Sequence, residues 1–183
     1  MTSAEEDYIK AIYQLTIEGM ATVTTNAIAA RMKTKPSSVT DMIKKLSERQ
    51  FVSYKKYKGV SLTDSGTTFA LSIIRRQRLW EVFLADKLDV SKDDVATLAE
   101  QLKHINNEQL TTKLDAFLGS PSIGFLGQSI PFKDGKFKRT AKKLLSDLSP
   151  NTKGVCVGVN DSSIAFLKFL NKKGIALGNT ILV

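Results

Sequence analysis

The chain has 183 residues and a formal net charge of +9, from 27 Lys and Arg against 18 Asp and Glu. This length allows one domain of ordinary size and a small second one, and no apolar run reaches the roughly 18 residues of a membrane-spanning helix. The single cysteine, Cys156, cannot form an intramolecular disulfide, so we expect a reducing, cytoplasmic compartment. The single histidine, His104, excludes a zinc site built from several His and Cys side chains of one chain.

The basic residues are concentrated in one stretch. Residues 31–60 contain nine basic and two acidic residues, so 9 − 2 = +7 of the net +9 lies there. A local excess of this size attracts polyanions, above all nucleic-acid phosphates. A solvated surface is the alternative, and the predicted local structure favours nucleic acid.

The first sixty residues predict helices followed by a hairpin. Ser3 and Glu6 have the spacing of a capping box at the start of a first helix. Further helices are predicted over residues 24–32 and 36–46, the latter opened by a proline. Residues 51–63 carry aromatic and β-branched residues around a Lys-rich tip, which predicts a β-hairpin. This order predicts a winged helix-turn-helix.

The middle of the chain predicts three helices, over residues 63–88, 91–105 and 107–118. The first of them is apolar on several sides, which predicts burial against a second chain and therefore a homodimer.

The last third of the chain is less regular. A stretch over residues 131–153 is predicted to be a linker. Beyond it we predict a strand over 154–159, a helix over 162–173 and a strand over 175–183.

Several motifs in this order resemble the DtxR/MntR family of iron- or manganese-responsive transcriptional repressors. The matching segments are Glu6-Asp7-Tyr8-Ile9-Lys10-Ala11-Ile12-Tyr13, Pro36-Ser37-Ser38-Val39-Thr40, Tyr57-Lys58-Gly59-Val60, Leu62-Thr63 and residues 120–131. The resemblance implies a mainly α fold with small β elements. Its expected parts are a winged helix-turn-helix DNA-binding domain over residues 1–65, a helical dimerisation and metal-binding domain over 66–130, the linker, and a partial SH3-like α+β region over 154–183.

The resemblance also implies a Mn²⁺ or Fe²⁺ cofactor. The family's ligand positions are matched by an acidic residue of the first helix and by two residues near the end of the fifth: Asp7, Glu100 and His104. Three positions depart from the family's ligand types: Lys10, Gln77 and Lys103. Glu100 and His104 lie at i and i+4 on one face of the predicted helix, which suits a shared ligand or an ordinary hydrogen-bonded pair.

Two hypotheses about the metal follow. Mn²⁺ and Fe²⁺ need several carboxylates and imidazoles, so lysines at this position predict a member whose metal response is weakened or lost. In that case Lys10 or Lys103 pairs with Asp7 or Glu100 and supplies the charge that the ion would bring. The other hypothesis keeps a reduced site of Asp7, Glu100, His104 and water.

The DNA contacts are expected near the second and third predicted helices and on the hairpin. The candidates are Thr25, Lys35, Pro36, Ser37, Ser38, Thr40, Asp41, Lys44, Lys45, Lys56 and Lys58. The first turns of such a third helix enter the major groove. Asp41 can either accept a hydrogen bond from a cytosine amino group there or sit back from the DNA, and the lysines suit phosphates.

The predicted function is that of a metal-responsive (Mn²⁺ or Fe²⁺) DNA-binding transcriptional repressor that acts as a homodimer on a palindromic operator and has a partly degraded metal site. The alternatives are a metal-independent regulator of the same family, or a dimeric interaction module that binds DNA only non-specifically. An enzyme is not expected, because no nucleophile and base pair and no glycine-rich phosphate loop can be named.

Overall fold

The structure is a computed structural model of the chain. It describes residues 1–20, 22–55, 59–125, 127–137, 143–158, 166, 169–170, 172–176 and 179–183. In this part of the chain, no helix has the length and apolarity that crossing a membrane requires. Two compact units are formed. The first comprises Met1–Arg76, Leu102–Asn106 and Lys133–Gly135, and the second comprises Gln77–Gln101, Asn107–Phe132 and Lys136–Val183.

The first unit contains the predicted winged helix-turn-helix. Its elements are α1 (Ser3–Ile17), α2 (Thr25–Met32), α3 (Pro36–Glu48), β1 (Val52–Lys55) and β2 (Gly59–Leu62). The two strands are antiparallel, with Val52 opposite Leu62. Three helices and a basic hairpin therefore follow in the order that the sequence predicts.

The capping box of α1 lies one residue earlier than predicted. Thr2, not Ser3, is the N-cap: its Oγ1 accepts from the Glu5 N–H at 3.3 Å, and its own N–H donates to Glu5 Oε2 at 2.7 Å. The prediction of a Ser3–Glu6 pair was wrong because the Glu6 carboxylate is buried and bonds to Arg76 and His104 instead.

The core of the first unit fixes the hairpin against the helices. Ile9, Ile12 and Ile43 have no exposed surface. Val23, in the segment before α2, exchanges backbone hydrogen bonds with Val60 of β2 at 3.1 and 2.8 Å. Gly59 permits this approach because it has a φ of +91° and because a Cβ there would lie 2.8 Å from the Val23 carbonyl oxygen.

The long helix α4 (Asp64–Leu88) contributes to both units. Ile73, in its first-unit half, and Leu79, in its second-unit half, have no exposed surface within one chain. Trp80 and Phe83 of α4 are only partly buried within one chain.

The helix after α4 is shorter than predicted. It is α5 (Lys92–Leu102), and the chain turns at its end instead of continuing to residue 105. The Lys103 carbonyl accepts a hydrogen bond from Arg76 Nε at 2.7 Å, and the Ile105 N–H donates to the Leu102 carbonyl at 3.0 Å. These contacts satisfy two carbonyls where the helix ends, and His104 lies in the turn rather than on the helix.

The remaining elements belong to the second unit. Helix α6 (Glu108–Phe117) is capped by the Asn107 side chain, which accepts from the Leu110 N–H at 2.9 Å. A 3₁₀ turn covers Leu145–Asp147.

Two short strands end the described chain. Strands β3 (Lys153–Val155) and β4 (Thr180–Leu182) pair antiparallel. Both are shorter than the predicted strands over 154–159 and 175–183. The helix predicted over 162–173 lies mostly outside the described residues, and the SH3-like region stays a prediction.

Candidate functional site

Helix α3 is amphipathic and presents a polar face. Val39, Ile43 and Leu46 lie in the core with no exposed surface. The exposed residues on the other side recur at helical spacing: Ser37, Ser38, Asp41, Lys44, Lys45 and Glu48. We call this set the recognition face. Its residue types can accept and donate hydrogen bonds to bases and can neutralise phosphates.

The other predicted DNA contacts differ in their surroundings. Lys35 is exposed at the N-cap of α3. The Thr40 hydroxyl is half-buried and donates to the Pro36 carbonyl at 3.0 Å. Thr25 is half-buried beside Thr24, which caps α2 by accepting from the Ala27 N–H. Lys56 and Lys58 lie outside the described residues.

A buried carboxylate lies beneath the last turn of α3. The side chain of Glu5 is 1% exposed; its Oε1 lies 3.0 Å from Lys45 Nζ and its Oε2 lies 2.9 Å from Arg49 Nη1. The hydrogen bond from the Thr2 backbone N–H is the largest influence that lowers the pKa of Glu5. With the contacts to Lys45 and Arg49, it brings that pKa from 4.5 to about 2 despite burial. Lys45, which was predicted to bind phosphate, is therefore also the partner of a buried carboxylate.

A second group of charges gathers around the next residue of α1. Glu6 Oε1 lies 3.1 Å from Arg76 Nη2, and Glu6 Oε2 lies 2.7 Å from His104 Nδ1. The Arg76 guanidinium also donates to the Lys103 carbonyl and to Asn106 Oδ1, at 2.7 and 3.2 Å. Glu6 and Arg76 are both buried, so this pair joins α1 to α4 inside the first unit.

The third acidic residue of α1 meets a buried lysine. Asp7 Oδ1 lies 2.7 Å from Lys103 Nζ, and the Lys103 side chain is 0% exposed. His104 Nε2 lies 3.4 Å from the same carboxylate oxygen. We call Glu6, Asp7, Arg76, Lys103 and His104 the ion cluster. It contains two carboxylates and two basic side chains in addition to the imidazole.

Of the predicted metal ligands, the structure brings Asp7 and His104 together. Glu100 is an exposed residue of α5. Lys10 is buried in α1, and Gln77 donates to Glu81 Oε1 at 3.0 Å. Within the residues described above, no group of three or more His, Cys, Asp and Glu side chains is arranged to hold a metal ion.

Sequence reasoning missed four residues of this region: Glu5, Glu6, Arg76 and Asn106. Two signals could have found Glu5, Glu6 and Arg76. Glu5-Glu6-Asp7 is a run of three acids in the first turns of a helix, more than favourable interaction with the helix N-terminus requires. Arg76 follows the buried residues Ile73 and Ile74 in α4, where a basic side chain needs a partner.

Comparison with known proteins matches two consecutive segments of the chain to one family. Residues 1–60 match "Iron dependent repressor, N-terminal DNA binding domain", and residues 63–132 match "Iron dependent repressor, metal binding and dimerisation domain".

Individual relatives agree with these matches. An HTH-type transcriptional regulator of Methanocaldococcus jannaschii is 30% identical over 118 residues, which cover 64% of this chain and 94% of the relative. The HTH-type transcriptional regulator MntR of Oceanobacillus iheyensis is 36% identical over 103 residues, 56% of this chain and 69% of the relative.

Solved structures point the same way. A manganese-dependent transcriptional repressor in complex with manganese superimposes with a TM-score of 0.74 at 31% identity, covering 98% of this chain and 82% of that one. ScaR with bound Zn²⁺ superimposes with a TM-score of 0.71 at 30% identity, covering 97% and 82%. These relatives are transcriptional regulators and not enzymes. The winged helix-turn-helix, the helical block after it and these matches together place the chain in the DtxR/MntR family of metal-dependent transcriptional repressors.

Proposed function

We propose that this protein represses transcription as a homodimer bound to a palindromic operator, and that the ion cluster replaces the metal at the predicted site. The first half of the proposal is supported by the family matches, which include a DNA-binding and a dimerisation domain. The second half is supported by the contacts of Lys103.

DNA binding is assigned to the recognition face. In this arrangement the first turns of α3 enter the major groove, where Ser37 and Asp41 meet base edges and Lys44 meets a phosphate. Two copies related by a two-fold axis would read half-sites about 34 Å apart, or a multiple of that distance.

Family membership implies Mn²⁺ or Fe²⁺ as cofactor, but the donor set of the ion cluster does not fit such an ion. Divalent ions of this kind need several carboxylate and imidazole ligands free to bind them. Here Asp7 Oδ1 faces a fully buried ammonium at 2.7 Å, and Glu6 is paired with the Arg76 guanidinium at 3.1 Å. An ion near Asp7 would have to approach the buried charge of Lys103, which is costly in a low-dielectric interior.

The charges of the ion cluster balance without an ion. Arg76 lies against Glu6 and Lys103 lies against Asp7, so each carboxylate has its own cation. Buried charges persist when they are paired and hydrogen-bonded. The observation that carries this half of the proposal is the Lys103–Asp7 contact, because it puts a covalently attached cation beside a predicted metal ligand.

The test measures binding of the purified full-length protein to a duplex from its own upstream region by fluorescence anisotropy. Salt is held constant, because the phosphate contribution alone changes affinity by orders of magnitude. Binding is measured in chelator and then with Mn²⁺ or, anaerobically, Fe²⁺. We expect specific binding in chelator and a change of less than about threefold on adding metal, which is under 1 kcal/mol.

A scrambled duplex of equal length and composition is the control for specificity. Specific binding that occurs only with metal would overturn the metal-replacement half and would favour the reduced site of Asp7, Glu100 and His104. Equal affinity for both duplexes under all conditions would overturn the repressor assignment and favour a module with non-specific DNA binding. Sedimentation of the protein at micromolar concentration tests the homodimer separately, and a monomer would contradict it.

A further inference from the structure

One buried carboxylate, that of Glu5, contacts two cations at the end of helix α3. Each oxygen of Glu5 meets a different cation of α3: Oε1 meets Lys45 at 3.0 Å, and Oε2 meets Arg49 at 2.9 Å. The side chain of Glu5 is 1% exposed, whereas those of Lys45 and Arg49 are 56% and 41% exposed. The carboxylate is therefore internal, and its two partners keep their charged ends at the surface.

Arg49 is restrained from more than one side. Its guanidinium lies 5.6 Å from the centroid of the Phe51 ring, and Nη1 lies 3.5 Å from the sulfur of Met1. Arg49 is also the C-cap residue of α3, with its backbone N–H bonded to the Lys45 carbonyl. By contacting Arg49, Glu5 thus restrains the end of α3 as well as the Arg49 side chain.

Lys45 has hydrogen-bonding capacity beyond its contact with Glu5. An ammonium group has three N–H donors, and one of them suffices for the contact with Glu5 Oε1. The other two are available at the surface, beside Lys44 on the recognition face. A phosphate could be bound by Lys45 while the contact with Glu5 persists.

The position of Glu5 in α1 also connects this contact to the ion cluster. Glu5, Glu6 and Asp7 are consecutive, and successive helical side chains point about 100° apart. Glu5 is directed toward α3, Glu6 toward α4 and His104, and Asp7 toward Lys103. One turn of α1 therefore contacts both the recognition helix and the ion cluster within the first unit.

We propose that Glu5 is a positioning residue for DNA recognition: it holds Lys45 and Arg49 in one geometry and thereby sets how the recognition face meets the operator. This inference rests on the DNA-binding function proposed above. It concerns discrimination between sequences rather than total affinity. Two cations held in place contact phosphates only in the correct register, whereas the same cations released bind phosphates of any sequence.

The test compares Glu5→Gln with Glu18→Gln. Both substitutions remove one negative charge from the first unit, but Glu18 pairs with Arg31 at the surface, outside the recognition face, whereas Glu5 is buried beneath that face. The Kd for the upstream duplex and for its scrambled counterpart is measured at several salt concentrations. We expect Glu18→Gln to change both by a similar factor, so that the ratio of the scrambled-duplex Kd to the upstream-duplex Kd stays within about twofold of the wild type.

Glu5→Gln is expected to reduce that ratio by about tenfold, the size of one impaired specific contact. The expected pattern is weaker operator binding together with tighter binding to the scrambled duplex. The active fraction is determined by stoichiometric titration, because unfolding lowers that fraction but not the ratio of affinities in the folded remainder. Circular dichroism of both variants at the assay temperature confirms that the protein measured is folded.

A double-mutant cycle with Lys45→Gln tests whether Glu5 acts through its partner. If it does, the effect of Glu5→Gln on the ratio is at least halved in the Lys45→Gln background. A Glu5→Gln protein that keeps the wild-type ratio would overturn the positioning role while the repressor assignment stands. An effect of Glu5→Gln that is equal in the wild-type and Lys45→Gln backgrounds would also overturn the positioning role. A wild-type protein without sequence preference would overturn both the positioning role and the repressor assignment.

Discussion

At the scale of single residues, the side chain that pairs with Asp7 decides the chemistry of the predicted metal site. Lys103 is a polar residue at the end of an amphipathic helix, and by its type it would be expected at the surface. It is instead fully buried against Asp7. A buried lysine is stable only when paired, so Asp7 and Lys103 depend on each other.

Lys103→Met tests this dependence. Removing one partner of a buried pair leaves the other uncompensated, which costs about 3–5 kcal/mol for fully buried groups. Because the side chain of Asp7 is 33% exposed, we expect a loss of about 2 kcal/mol in the free energy of unfolding. Urea denaturation followed by circular dichroism measures it.

The matched control is Lys113→Met, an exposed lysine of α6, for which we expect a change within about 0.5 kcal/mol. The double variant Asp7→Asn with Lys103→Met should be more stable than the sum of the single effects predicts. Equal stability of Lys103→Met and wild type would show that the pair contributes nothing.

The lowered pKa of Glu5 predicts that the stability of the fold decreases at acidic pH. Its pKa is lowered in the folded protein from 4.5 to about 2, so the ionised form stabilises the fold. That contribution is complete above pH 4.5, the pKa of the unfolded chain, and is lost as the pH falls toward 2. The difference in unfolding free energy between wild type and Glu5→Gln should be about 2 kcal/mol at neutral pH and should shrink below pH 4.5.

Urea unfolding between pH 7 and pH 2.5 measures this difference. Glu18→Gln serves as the control, because Glu18 pairs with Arg31 at the surface, where such pairs contribute about 0–1 kcal/mol. A gap for Glu5→Gln that stays constant across this range would contradict the ionic origin of the effect.

At the scale of elements, close backbone contacts override local preference. Gly66 lies in the first turn of α4, where alanine has the better helix propensity by about 1 kcal/mol. A Cβ at this position would, however, lie 1.9 Å from the Phe51 carbonyl oxygen. The start of α4 can therefore approach the segment before β1 only if this residue has no side chain.

Gly66→Ala distinguishes helix propensity from the close backbone contact, because propensity would raise the free energy of unfolding and the contact would lower it. We expect a loss of about 3 kcal/mol in unfolding free energy, since the contact is with backbone that cannot rotate away. Differential scanning calorimetry and urea unfolding measure it. Gly158→Ala, where a Cβ would meet nothing within 4 Å, should be nearly neutral. A stabilised Gly66→Ala protein would mean that helix propensity dominates.

At the scale of the whole molecule, the recognition face and the complete ion cluster lie in the same compact unit. This first unit includes the segment Leu102–Asn106, which carries Lys103 and His104 at the end of α5. The contacts of His104 with Glu6 and of Lys103 with Asp7 hold that segment to α1. The ion cluster is thus part of the same unit as the recognition face.

A prediction for metal addition follows. A ligand that binds only the folded protein raises its stability by RT ln(1 + [L]/Kd), about 2.7 kcal/mol at a hundredfold excess over Kd. If the ion cluster replaces the metal, about 1 mM Mn²⁺ should leave the Tm of the chelator-treated protein unchanged within about 1 °C. Differential scanning fluorimetry measures this shift, and the manganese-dependent repressor that it resembles provides a positive control. A rise of several degrees would contradict the proposal.

The local order of the first unit was predictable because its signals lie within single segments. Pro36 opens α3, and apolar residues at helical spacing place Val39, Ile43 and Leu46 in the core. The end of α5 was not predictable in this way. The sequence continues with helix-compatible residues to 105, whereas in the structure the chain turns after Leu102 and the Lys103 carbonyl accepts a hydrogen bond from the distant Arg76.

The sequence by itself determined the succession of helices and hairpin, the concentration of basic charge in residues 31–60, and the family, because these are carried by residue type and short-range spacing. Only the tertiary structure decided how the acidic run of α1 is divided, with Glu5 bound to α3, Glu6 to α4 and Asp7 to Lys103. The physical reason is that a charged side chain is buried only beside a partner, and here most of those partners come from distant parts of the chain. Which cation meets which carboxylate is therefore a property of the packed molecule.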